Sequence, residues 1–118
     1  MRTPSWTFRL GSTSYVYPGD LLHNAARLAG QVQDIELVLF VTPQGESNLP
    51  APEVVARLAR SAEEAGHTYT VHLPRDLRSD EGDSLELAKH VIDLCAPLNP
   101  YAYVMHVDGR GVGAAGWV

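Results

Sequence analysis

The chain has a single cysteine, Cys95, and that scarcity excludes an intramolecular disulfide and any metal site built from several thiolates. Lysines and arginines never cluster and the formal net charge is −5, so the electropositive footprint that nucleic acid requires is missing. Nucleic acid is therefore not an expected partner, although a small phosphate-bearing ligand stays open. No apolar run reaches the roughly 18 residues of a membrane helix, and the N-terminal stretch Met1-Arg-Thr-Pro-Ser-Trp6 opens no signal peptide. The expectation is a soluble, cytoplasmic protein with no membrane partner. A glycine-rich phosphate fingerprint, a Ser-His-Asp or Cys-His nucleophile arrangement, an internal sequence repeat and a low-complexity segment are all lacking as well.

What remains is ordinary globular composition. The 118 residues are 45% hydrophobic and 19% charged, enough for one domain with a real core. Three segments carry helical periodicity. In the first, Leu21, Leu22, Ala25, Leu28, Ala29 and Val32 share one face, and Asp20 stands ready to cap the free amides. In the second, Val54, Val55, Leu58, Ala59, Ala62 and Ala65 repeat the pattern, with Pro52 suited to a first turn and Gly66 to the stop. The third has Asp83 and Glu86 at capping-box spacing, then Ala88, Val91, Ile92 and Cys95, and ends before Pro97. Cys95 lies on the apolar side of that pattern and reads as a small buried hydrophobe.

Between the helices lie short apolar runs at 7–16, 35–41, 68–73 and 101–107, rich in β-branched and aromatic residues. They show little polar alternation, which predicts parallel strands buried on both faces. The order is βαβαβαβ, with strand starts separated by roughly the length of a βαβ unit. Two α/β folds share it: a small open doubly wound sheet, and half of a TIM (β/α)8 barrel, which complete would need about 250 residues. Length favours the open sheet. The glycine-rich 109–118, expected to be an irregular tail with no covering helix, favours a partial barrel domain over 1–118.

In either fold, function sits at the C-terminal ends of the strands. His72 and His106 both fall there, on consecutive strands, where they either share a divalent metal or are satisfied by loop carbonyls. Asp108 lies near the same rim. His23, His67 and His90 read as solvated surface residues. Ser12, Ser14 and Tyr15, at the end of the first strand, either contact a polar ligand or bond neighbouring strands. Glu36 lies within an apolar strand and, if buried, needs an arginine or a metal. The run 74–82 reads as a solvated loop whose Arg75 and Arg78 can reach a substrate phosphate.

Several segments together resemble one family: Leu10-Gly-Ser-Thr-Ser-Tyr-Val-Tyr-Pro-Gly-Asp20, Asp34-Ile-Glu-Leu-Val-Leu-Phe40, Ser47-Asn-Leu-Pro50, Tyr69-Thr-Val-His-Leu-Pro74 and Met105-His-Val-Asp-Gly109. They look like the N-terminal half of the cobamide-remodelling phosphodiesterases, a branch of the xylose isomerase-like and endonuclease IV-like TIM-barrel superfamily. The resemblance implies a metal-dependent hydrolase that cuts the phosphodiester in the nucleotide loop of cobamides, with zinc, manganese or cobalt as its divalent metal. It implies metal ligation by His72 and His106. Where the family pattern carries an acidic residue after the second strand, this chain has Val41.

The resemblance further implies that four strands hold an incomplete site, inactive unless the barrel is completed. A homodimer through the exposed strand edges is one arrangement that would complete it. Two other functions fit the same pattern: sugar isomerisation or epimerisation at a divalent metal, and a non-catalytic α/β binding module.

Overall fold

The computed structural model describes residues 7–78 and 82–108. The expected glycine-rich tail, 109–118, lies outside the described residues. Four strands, β1 (Gly11–Thr13), β2 (Asp34–Val38), β3 (Thr68–His72) and β5 (Ala102–Val104), form an all-parallel sheet in the order β1-β2-β3-β5. Helices α1 (Leu21–Leu28), α2 (Pro52–Ala65) and α3 (Gly82–Cys95) alternate with them, as the βαβαβαβ reading requires. The order rises along the chain without reversal, the arrangement consecutive βα units take in a barrel wall.

The helix termini follow local chemistry. Asp20 caps α1 by accepting a hydrogen bond from the His23 amide at 2.8 Å. Pro52 occupies the first turn of α2, and Gly66 ends it at φ 80°, a left-handed conformation that costs glycine little. The third helix differs from expectation, because Asp83 lies inside its first turn. Its C-terminus runs into a 3₁₀ turn, Ala96–Leu98, closed by Asn99 in the left-handed region at φ 45°.

Burial corrects one expectation. The strands are not covered on both faces: β2 and β3 alternate between half-buried and buried positions. Ile35, Leu37, Tyr69 and Val71 are fully buried and join Ala25, Val55, Leu58, Val91 and Cys95 in one core between sheet and helices. Asp34, Glu36, Thr68, Thr70 and His72 lie on the opposite face, half-buried. Right-handed crossovers with no reversal of strand order carry successive helices to one face, and the polar residues occupy the other. The hydroxyls of Thr68 and Thr70 donate to the Asp34 carboxylate at 2.5 and 2.7 Å, tying β3 to β2 across that open face. Cys95 is buried, as expected, and burial pushes its thiol up to about 11.

The strand ends also differ. The first apolar run yields only the three residues of β1. The last splits in two, because the chain leaves β5 and pairs again as β6 (Val107–Asp108) with β4 (Leu77–Arg78). The loop expected after β3 thus contributes a strand to a second, two-stranded parallel sheet. Among the described residues no helix is long and apolar enough to cross a membrane.

Candidate metal centre

His72 closes β3, where the strand pairs with β5 and Val104 is its register partner. The amide of Leu73 still donates to the Val104 carbonyl at 2.9 Å, after which the ladder breaks. It resumes at Leu77 opposite Val107. Residues 73–76 on one side and 105–106 on the other bridge that break, so the two segments bow by different amounts. His106 lies at the bow.

The consequence is a close imidazole pair. The ring centroids lie 5.0 Å apart at 44°, and the two Nε2 atoms are separated by 3.0 Å. Nδ1 of His72 lies 3.0 Å from the Leu73 carbonyl oxygen. A carbonyl only accepts, so Nδ1 carries the proton and Nε2 presents a lone pair toward His106. A metal-ligating histidine commonly has this support, its far ring nitrogen donating to a backbone carbonyl that fixes tautomer and ring orientation. With metal–nitrogen bonds of about 2.0–2.1 Å, two nitrogens at this spacing subtend roughly 95° at a shared ion, between octahedral and tetrahedral angles. The pair fits a divalent metal as two cis ligands. Without a metal, Nε2–H of His106 donates to Nε2 of His72.

Among the described residues, no group of three or more histidine, cysteine, aspartate or glutamate side chains converges as a metal would need. The backbone of Asp108 pairs with Arg78 in the second sheet, and the side chains of both lie outside the described part of the structure. Arg75 stands on the loop after β3, partly exposed, its guanidinium 4.0 Å from the Asp83 carboxylate. Ser14 is buried, and its hydroxyl accepts from the Val38 amide at 2.9 Å, extending the β1–β2 seam. The Ser12 hydroxyl donates to the Thr13 carbonyl at 3.3 Å. Tyr15 has its amide fixed on Thr13 Oγ1 at 3.0 Å and its side chain in solvent. Glu36 is only half-buried, on the face the helices leave open, so the condition under which it would need an arginine or a metal does not arise.

His67 overturns its reading as a solvated residue. It is 5% exposed, and neither ring nitrogen has a hydrogen-bond partner. Its ring meets Tyr69 edge-on at 5.0 Å, and burial lowers its pKa against the opposing pull of the Asp34 charge. The signal was in the parity: positions 67, 69, 71 and 73 share one face of a strand, and Tyr69, Val71 and Leu73 point into the core. His23 and His90 are exposed, as expected.

Two asparagines organise the loops at the strand ends: Asn24, not singled out in the sequence, and Asn48, marked there only within Ser47-Asn-Leu-Pro50. Asn24 is fully buried; its Oδ1 accepts from the amides of Val16 and Tyr17, and its Nδ2 donates to the carbonyls of Tyr17 and Asp20. Asn48 accepts from the Phe40 amide at 2.7 Å and donates to the Val38 carbonyl at 2.9 Å.

Comparison with protein-family models, with curated proteins and with solved structures returns no match for this chain.

Proposed function

We propose that this chain supplies the metal-binding wall of a cytoplasmic phosphodiesterase that hydrolyses the nucleotide-loop phosphodiester of cobamides. The observation that supports the metal site is the Nε2–Nε2 spacing of 3.0 Å between His72 and His106, with Nδ1 of His72 held on the Leu73 carbonyl. The resemblance in the sequence supplies the substrate class. His72 and His106 hold the metal, and Arg75, on the neighbouring loop, meets the phosphate charge. A divalent ion bound there supplies Lewis-acid polarisation of a phosphoryl oxygen and a hydroxide at neutral pH. Asp108 follows His106 closely enough in sequence to add a carboxylate to the same rim.

Two histidines are fewer than the three protein ligands of a typical catalytic zinc site. Turnover is therefore expected only when the coordination sphere is completed. A second copy joining at the sheet edges, β1 and β5, is one way to bring further histidines to the rim.

The test is elemental analysis of the purified chain alongside the His72→Ala/His106→Ala double variant, followed by a phosphodiesterase assay on a cobamide. Near-stoichiometric metal that the double variant loses supports the site, and metal-dependent release of the lower-ligand portion supports the chemistry. No metal after incubation with zinc, manganese and cobalt in turn removes the reading. Turnover of a ketose in place of the cobamide transfers the site to isomerase chemistry.

A further inference from the structure

Past the C-terminal ends of β1 and β2, on the helix side of the sheet, lies a half-open cavity of about 470 Å³, within the size range of small-molecule sites. Its walls are the β1–α1 and β2–α2 connections. Leu21, Leu22, Phe40, Leu49, Pro50 and Val54 make the lining predominantly apolar.

The walls are built before any ligand arrives. Asn24 pins the first connection through bonds to Val16, Tyr17 and Asp20, and Asn48 pins the second between Val38 and Phe40. A cavity between two clamped loops loses little conformational entropy on binding.

The polar groups in the wall are mostly engaged already. The Ser14 hydroxyl accepts from Val38, and both ends of the Asn48 amide are bonded to backbone. Asp20 caps α1, so the positive end of that helix already faces a carboxylate, and a second anion there meets repulsion. Aromatic surface is left open at the rim: Tyr15 is 79% exposed and Phe40 41%, and both line the cavity. Exposed rings beside a preformed apolar cavity favour a flat aromatic guest, which stacks on them and requires no hydrogen bond from the walls.

We infer that this cavity is a subsite for a flat aromatic group that is uncharged or weakly basic, and that it excludes anions. Ser14 is stitched to Val38, which is the register partner of His72. Ser14 nevertheless faces the helix side of the sheet, among the α1 and α2 residues that line the cavity, while His72 opens on the other face, so ring binding stands apart from the metal-site reading.

The test is titration of the full chain with quinoline, with naphthalene-1-sulfonate as the anionic control and cyclohexanol as the non-aromatic one, followed by amide shifts in ¹H–¹⁵N NMR spectra. Expected are saturable shifts at Leu22, Leu49 and Tyr15 with quinoline, and at least about tenfold weaker binding of both controls, a difference of about 1.4 kcal/mol. Leu49→Trp, which fills the cavity, should abolish the shifts; Phe40→Ala, at a partly exposed position, should weaken them if the tryptophan variant does not fold. The His72→Ala/His106→Ala variant should bind quinoline as the parent does, even if the metal site proves wrong. Absence of saturable shifts at the lining amides, or equal binding of the sulfonate or the alcohol, overturns the inference and leaves the metal reading untouched.

Discussion

Nε2 of His72 and Nε2 of His106 lie 3.0 Å apart although the two residues are not register partners: Val104 stands opposite His72, and His106 comes two residues later. The contact exists because the ladder breaks after Leu73 and resumes as β4–β6. The Leu73 carbonyl then fixes which His72 nitrogen carries the proton. Long-range ¹H–¹⁵N correlation on histidine-labelled protein should show His72 protonated at Nδ1. An Nε2–H tautomer in the metal-free protein would mean that the carbonyl does not orient the ring.

Val107 begins the short strand that follows His106. A Val107→Pro substitution removes its amide and disturbs the pairing with Leu77, loosening the chain just past the histidine. Zinc affinity measured by calorimetry should fall about tenfold or more, the scale on which outer supports of metal ligands act. The thermal midpoint should move little, because β6 lies outside the four-stranded sheet. Unchanged affinity would show that the second ladder does not position His106.

His67 makes stability depend on pH. Burial lowers its folded-state pKa below the ordinary histidine value of about 6.5. The unfolded chain therefore binds the proton more readily, and stability rises with pH. The contribution is fully present above about 6.5, falls as pH drops below it, and levels off below the folded-state pKa. Urea unfolding at pH 7.5 and pH 5.0 should show a loss that His67→Phe reduces. If the variant and the parent keep the same pH dependence, His67 is not the group responsible.

Asn24 has no exposed surface and bonds to the backbone through both ends of its amide. Asn24→Ala strands the Val16 and Tyr17 amides and leaves a hole beneath the loop, at a cost of about 2–4 kcal/mol. Asn24→Asp should cost a comparable amount, because a carboxylate oxygen replaces the donor that faces the Tyr17, Gly19 and Asp20 carbonyls. Denaturant unfolding at pH 7 measures both, and a loss below about 0.5 kcal/mol for either would show the clamp to be incidental.

The Tyr69 hydroxyl donates to the Leu58 carbonyl at 2.8 Å, joining β3 to α2 inside the core. Burial raises its pKa to about 12, so the donor persists across the physiological range. Tyr69→Phe keeps the ring and removes this second donor, leaving the Leu58 carbonyl its partner within α2, and the expected loss is about 0.5–1 kcal/mol in urea unfolding. A neutral or stabilising result would show that the hydroxyl adds nothing beyond the bond within the helix.

Much of the architecture follows from local chemistry and was legible in the chain. Asp20, Pro52 and Gly66 end helices because of what they do to the nearest amides and to φ, and they act where the sequence places them. The run Thr68–His72 is a strand for the same kind of reason, and His72 at its end needed no tertiary information. Sidedness was harder to read. In Leu37-Val-Leu-Phe40 every position is apolar, so no alternation marks which side meets the helices. Only the packing of the helices against one face put Leu37 and Leu39 in the core and left Val38 and Phe40 more exposed.

The sequence by itself determined the βα order, the start of α1 and both ends of α2, the single buried thiol and the two histidines at successive strand ends, because each depends on residues close together in the chain. Tertiary structure decided the Nε2 contact, the β4–β6 ladder and the burial of His67. Those depend on where segments some thirty residues apart come to lie, and that is set by strand register and by which face of the sheet the helices cover.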